Sequence, residues 1–186
     1  MSKQKELLDV EILDTFLGAH PDLERLEIMI PDLNGTMRGK WLPASSIPKI
    51  LQGAARIPLA TYCADIWGND VEAAGVAGPL GDPDGKMMPD LATLALVPWA
   101  KGRAAQVVAS IYTDENELSP YDPRELVKRQ VERLSLRGLK PVAAVELEFH
   151  LFRQRINADE ELKAPARADN NSVFNLENMT EVEACL

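Results

Sequence analysis

The stretch AAVELEFHLF, Ala143 to Phe152, alternates acidic and apolar side chains at every second position through its centre. Read as a β-strand, it puts Glu146 and Glu148 on one face and Leu147, Phe149 and Leu151 on the other, because successive side chains of a strand point to opposite sides. A strand rises roughly 3.3 Å per residue, so the two carboxylates start about 6.6 Å apart, within converging distance of one or two hard cations. An amphipathic edge strand also carries Glu at alternate positions, simply because that face is wet. Here PVAAV precedes the pair and FHLF follows it, which predicts a buried strand, and a buried Glu is paired or coordinated. The pair therefore reads as half of a metal site. His150 shares the same face, but a single His on a strand is more often a hydrogen-bonded core residue than a ligand, and it is read that way here.

Working outward, SPYDPRELVKRQVERLSLRG predicts a helix over 123–137. Asp122 is placed to cap it, Pro123 fits the first helical position, Glu125 has the capping-box spacing, and Gly138 supplies the left-handed residue at its end. The Glu-bearing strand follows at Pro141. Beyond Phe152 the sequence turns polar and then acidic, with room for at most one more short strand or helix to cover that strand.

Towards the N-terminus, Leu8, Ile12, Leu13, Phe16 and Leu17 fall at helical spacing before Gly18 and Pro21, predicting a surface helix over 4–17. LERLEIMIPDLNGTMRGKWLP predicts a β-hairpin, with Leu26, Ile28 and Ile30 on one face and Asn34-Gly35 at the turn. Residues 44–53 read as a short helix with Ser46 as a possible cap, and IPLATYCADIW as a strand ending near Gly68. GVAGPLGDPDGKMMP, 75–89, is dense in Gly, Pro and Asp and predicts an exposed excursion with little regular structure. TLALVPW and AQVVASIYT read as two more strands around a turn at Lys101-Gly102. Residues 1–118 are thus mostly sheet, and an alternating α/β pattern begins at 122.

Composition excludes several functions. The chain of 186 residues carries a net charge of −9 and no Lys/Arg-rich run, so nucleic acid and anionic membrane surfaces are poor partners. Cys63 and Cys185 lack CxxC spacing, which predicts neither a disulfide framework nor a zinc site, and a reduced, cytoplasmic setting is expected. The first twenty residues hold scattered acidic groups and no continuous apolar run, unlike a signal peptide, and no run approaches the ~20 residues of a membrane span. DPDG at 82–85 imitates the start of a calcium loop, but Lys86 and Met88 stand where oxygen ligands are needed. No GxxxxGK[ST] or GxGxxG is present. Arg38 and Lys40 are placed to contact an acidic partner, although strand-end basic residues are usually just solvated, and Trp41, Trp67 and Trp99 are read as core or subunit-interface anchors.

Taken in order, DLNGTMRGKWLP (32–43), the 82–99 stretch around MPD and VPW, and VELEFHLF (145–152) resemble the glutamine synthetase family, most closely its γ-glutamyl-amine ligases. The resemblance implies an α+β chain: an N-terminal helix over 1–23, a β-grasp domain over 24–118, and the beginning of an α/β catalytic domain over 122–186. It implies ATP-dependent ligation of ammonia or a primary amine to the γ-carboxylate of glutamate through an acyl phosphate. Mg²⁺ or Mn²⁺ would serve it, with Glu148 holding the ion near glutamate and Glu146 the ion near the ATP phosphates. Asp65 lies where family members carry an Asp that helps bind or deprotonate the ammonium in a neighbouring subunit's site, although Ile66, Trp67 and Gly68 replace the usual Gly and serines after it. Further metal, phosphate and glutamate ligands are expected C-terminal to residue 186, so the chain alone is expected not to turn over. A homo-oligomer with intersubunit sites follows by analogy. The competing reading is a noncatalytic β-grasp interaction module that docks on related subunits through the hairpin and the 75–89 excursion.

Overall fold

Arg25–Pro31 (β1) organises the sheet: Leu26, Ile28 and Ile30 are fully buried, while Arg25, Glu27 and Met29 between them are half-buried. That alternation is what a strand covered on one face requires. The computed structural model describes residues 3–76, 81–148, 150, 152, 157 and 159–161. β1 pairs antiparallel with Met37–Pro43 (β2) and parallel with Ala104–Tyr112 (β6). β6 pairs antiparallel with Asp84–Pro89 (β4), which pairs with Arg56–Pro58 (β3). The strand order is β2-β1-β6-β4-β3, with the two-residue Ala95–Leu96 (β5) on the first end of β6. This is a mixed α+β sheet whose central pair, β1 and β6, is parallel.

The buried face is closed by a helix, Lys3–Ala19 (α1), which inserts Leu13, and by a 3₁₀ helix, Ala44–Gln52, which inserts Ile47 and Ile50. Met87 and Ile111 complete the core beneath them. Pro123–Ser135 (α2) runs from an Asp122 cap, as its sequence predicts, and buries none of its residues. The chain divides into two compact units, Met1–Pro141 and Val142–Leu186, and the sheet, α1 and α2 all belong to the first. No helix among the described residues is long and apolar enough to cross a membrane.

Four expectations need correction. The helix at 44–52 starts after Pro43 without any side-chain cap, so Ser46 does not cap it; Pro48, inside the helix, lacks the N–H that an α-helical bond would use. Of the expected strand IPLATYCADIW only Ile57 and Pro58, the end of β3, lie in a strand, and Leu59–Cys63 turns into a 3₁₀ helix that sends Tyr62 into the core. The supposed excursion contains β4. Gly85 there is buried because strands pass too close for a side chain: a Cβ would lie 2.2 Å from Ile111 Cγ2 and 2.8 Å from the Tyr112 carbonyl oxygen. That glycine marks close packing rather than a loop.

The fourth correction concerns the stretch that opened the sequence reading. Residues 142–148 have no regular structure, and Val145 and Leu147 are 85% and 81% exposed. A lone extended segment leaves its N–H and C=O groups to water, and none of the described strands pairs with this one. Glu146, Glu148 and His150 are exposed, so the burial argument and the core reading of His150 both fail. Phe149 and Leu151 lie outside the described residues.

Candidate functional site

Asp65 sits on a turn that repeats, bond for bond, the turn of the β1–β2 hairpin. In the hairpin, Thr36 O accepts from Asp32 N at 2.9 Å and Asp32 O from Gly35 N at 3.0 Å. Asp32 Oδ1 accepts from the N–H groups of Asn34 and Thr36, both at 2.8 Å. In the second turn Asn69 O accepts from Asp65 N at 2.9 Å and Asp65 O from Gly68 N at 3.0 Å. Asp65 Oδ1 accepts from Trp67 N and Asn69 N, again both at 2.8 Å. Gly35 and Gly68 take the left-handed conformation that closes each turn, at φ 79° and 89°. Both are Asp-x-x-Gly-x turns held by the leading aspartate. The Asn34-Gly35 hairpin is therefore a three-residue loop with a left-handed glycine rather than a two-residue one.

The two turns are tied to each other. Asn34 Nδ2 donates to Ala64 O at 2.7 Å, and Leu33 N donates to Tyr62 O at 3.0 Å. Arg38 donates to Asp32 Oδ2 at 3.0 Å, and a Cβ on Gly68 would meet its guanidinium at 3.1 Å. Arg38 is thus a buried-pair partner rather than a solvated side chain. Asp32 and Asp65 differ in access: Asp32 is 1% exposed and its second oxygen faces Arg38, whereas Asp65 is half-buried and its second oxygen meets the exposed Asn69 amide at 3.1 Å. A carboxylate offers about four acceptor positions, so the three donors on Asp65 leave one that a ligand can reach.

These contacts fix charge. Asp65 is held below the usual carboxylate range, first by the backbone N–H of Asn69 and then by its side-chain amide. Burial acts to raise Asp32, but the N–H of Thr36, Arg38 and the N–H of Asn34 outweigh it and hold it low. The same balance, burial against Arg124, lowers Asp90, and Arg56 lowers Asp114. A carboxylate with a depressed folded pKa contributes stability above its unfolded value, near pH 4, and loses it as pH falls through the folded value. The urea midpoint of this chain is expected to stay level from pH 7 to about pH 5 and to fall below about pH 4, with Asp32→Asn flattening that fall. A midpoint unchanged down to about pH 3 contradicts this.

A second buried network went unread in the sequence. Tyr62 Oη donates to Asp122 Oδ2 and accepts from Ile111 N, both at 3.0 Å, while Asp122 Oδ1 accepts from Arg124 N and Glu125 N at 2.8 and 3.2 Å. Burial pushes the Tyr62 phenol far above its ordinary value, so it stays a neutral donor. Tyr62 thereby joins the segment leading to Asp65 to both β6 and the start of α2. The signal for the Asp65 turn, Asp followed by Gly three residues on, is present at 32–35 and 65–68, but it also occurs at 82–85, where Gly85 lies in β4.

The remaining candidates are accounted for as follows. Glu146 and Glu148 stand two residues apart on exposed chain, and no group of three or more His, Cys, Asp or Glu side chains suited to a metal occurs among the described residues. Trp41, Trp67 and Trp99 are not core: they are 70%, 82% and 78% exposed, Trp41 lying under the Arg25 guanidinium at 4.5 Å. Cys63 is buried and its thiol raised by that burial, leaving it unreactive, and Cys185 lies outside the described residues. An open cleft of about 780 Å³ is lined in part by Lys86, Arg124 and Lys128; Lys86 is engaged by Asn116 and Arg124 by Asp90.

The profile of the glutamine synthetase catalytic domain matches residues 120–186, starting beside the Asp122 cap. The gamma-glutamylputrescine synthetase PuuA of Escherichia coli (strain K12) is 32% identical over 88% of the chain and 36% of its own length. The glutamate–isopropylamine ligase of a Pseudomonas species is 28% identical over 84% of the chain and 34% of its own length. The chain thus spans about a third of the length of these curated relatives. In three dimensions it resembles the GmaS–ADP complex, with a TM-score of 0.52 and 23% identity over 67% of this chain and 26% of that one. The likeness in fold, the catalytic-domain profile and the ligase relatives agree, and the chain belongs to the glutamine synthetase family.

Proposed function

We propose that this chain contributes the amine-binding turn and two metal-ligating carboxylates to an enzyme that joins ammonia or a primary amine to the γ-carboxylate of glutamate, using ATP. The observation that carries this reading is Asp65: an ionised, accessible carboxylate with one open acceptor position, held on a rigid turn. Its lowered pKa favours holding an ammonium cation over keeping a proton. The named activities of the relatives, on putrescine and isopropylamine, support an amine as acceptor.

The chemistry runs in two steps. The γ-phosphoryl group of ATP passes to a glutamate carboxylate oxygen, leaving ADP and an acyl phosphate. The ammonium held at Asp65 first sheds a proton to solvent on the Asp65 side; the free amine nitrogen then attacks the acyl carbon, the bond from carbon to phosphate oxygen breaks, phosphate leaves, and the nitrogen loses a second proton to solvent to give the amide. Glu146 and Glu148 offer hard oxygen donors that suit Mg²⁺ or Mn²⁺, and such an ion neutralises phosphate oxygens when bound. The described residues bring no third ligand beside them, so the remaining ligands belong to other residues.

In this reading, 24–118 forms a β-grasp-type domain, a view supported by the parallel β1–β6 centre, and 122–186 opens the catalytic domain. The enzyme is cytoplasmic and homo-oligomeric, with Asp65 facing a neighbouring copy. The complete protein carrying this chain, given glutamate, ATP and a panel of ammonia and primary amines, is expected to release phosphate in proportion to a γ-glutamyl amide detected by mass spectrometry. Amine-independent silence across the panel, in a protein that still self-associates, favours the noncatalytic assembly module instead.

A further inference from the structure

The Asp65 turn presents an ionised carboxylate and two large apolar side chains within three consecutive residues. Ile66 and Trp67 occupy the two central positions of the turn and are 69% and 82% exposed, although neither is needed for its hydrogen bonding, which uses only the Trp67 backbone N–H. The matched hairpin turn puts Leu33 and the polar Asn34 at these positions, and Asn34 is committed to Ala64 O. The indole of Trp67 has no ring or cation partner among the described residues, unlike Trp41 under Arg25. Both side chains leave apolar surface in water without a packing partner among the described residues.

We infer that Ile66 and Trp67 form an apolar wall that selects a primary amine carrying an alkyl body over free ammonia. Asp65 takes the ammonium end through its open acceptor position, and the adjoining methylenes lie against the indole and the Ile66 side chain. An alkylammonium has both parts of this complement; ammonia has only the charge and gains nothing from the wall. The methylenes laid on such a surface together add discrimination of about tenfold to a hundredfold, and the ring face favours the cationic end as well. Backbone bonds from Trp67 and Asn69 fix the turn that carries both side chains next to Asp65.

This inference rests on the ligase reading above, and its test separates the two. In the complete protein, kcat/KM is measured for ammonia, ethylamine and butylamine with the wild type, Trp67→Ala and Trp67→Phe. The wild type is expected to prefer butylamine to ethylamine and ethylamine to ammonia. Trp67→Ala is expected to lower the butylamine-to-ammonia ratio about tenfold to a hundredfold, and Trp67→Phe to restore most of it. A ratio within about twofold of wild type in Trp67→Ala overturns the inference. A wild type that ligates ammonia and refuses both alkylamines keeps the ligase reading and overturns the amine selectivity. A wild type that forms neither glutamine nor any γ-glutamyl amide overturns both. Trp67 is exposed in this chain, so Trp67→Ala is not expected to unfold it; the denaturation midpoint and the association state of each variant check that the changed ratio reports on amine selection rather than on folding or assembly.

Discussion

Asp122→Ala is expected to destabilise the Met1–Pro141 unit by about 3 kcal/mol, the sum of a lost helix cap worth roughly 1 and a stranded buried hydroxyl worth about 2. Asp122 is 1% exposed and holds both the start of α2 and the Tyr62 hydroxyl. One oxygen caps α2 through Arg124 N and Glu125 N, and the other accepts from Tyr62 Oη. Truncation uncaps the first turn of α2 and leaves the Tyr62 hydroxyl, fully buried against Ile111 N, without its acceptor. Asp122→Asn keeps an oxygen in place and is expected to cost less than half as much. Because Tyr62 and Asp122 share one bond, Tyr62→Phe and Asp122→Ala should combine to less than the sum of their separate costs. Urea unfolding of the four proteins checks this; additive costs, or an Asp122→Ala loss below about 1 kcal/mol, contradict the network.

What the sequence made readable is what short-range chemistry decides. The Asp122-Pro123 start of α2, the β1 alternation and the left-handed pair at Lys101-Gly102 are settled by residues within a few positions of each other. Even there one local expectation went elsewhere: Glu125 carries its carboxylate to Arg129 rather than back to the cap. β4 was unreadable because its strand character comes from β3 and β6. Gly85 and Pro89 have the composition of a loop, and pairing with Ile57 of β3 and Ala109 of β6 gives them a strand. Tyr62 was unreadable for the same reason, since its partners stand 49 and 60 residues away. In the candidate site, resemblance pointed to Asp65, but the matched hairpin turn that explains its geometry shows only when the two sets of backbone bonds are laid side by side. The Glu146–Glu148 alternation was legible as pattern and misleading as structure, because a strand needs neighbours that the described residues do not supply.

Those two glutamates carry the second large expectation. Glu146→Gln and Glu148→Gln, each made in the complete protein, are expected to lower amide synthesis on the order of a thousandfold, the equivalent of the several kcal/mol that a bound cation gives to phosphoryl transfer. Both side chains are exposed, and no ion pair among the described residues engages either. No ion pair among the described residues uses their charge, so the denaturation midpoint is expected not to move with either change, and a functional loss then reports on a ligand rather than on folding. The two should also differ from each other: Glu146→Gln weakens divalent-dependent nucleotide binding, while Glu148→Gln raises the KM for glutamate. Titrating Mn²⁺ by its electron paramagnetic resonance signal, with and without nucleotide, reads binding apart from turnover. Full Mn²⁺ stoichiometry and unchanged nucleotide affinity in both variants remove the metal role from this pair and leave the two carboxylates as solvated side chains.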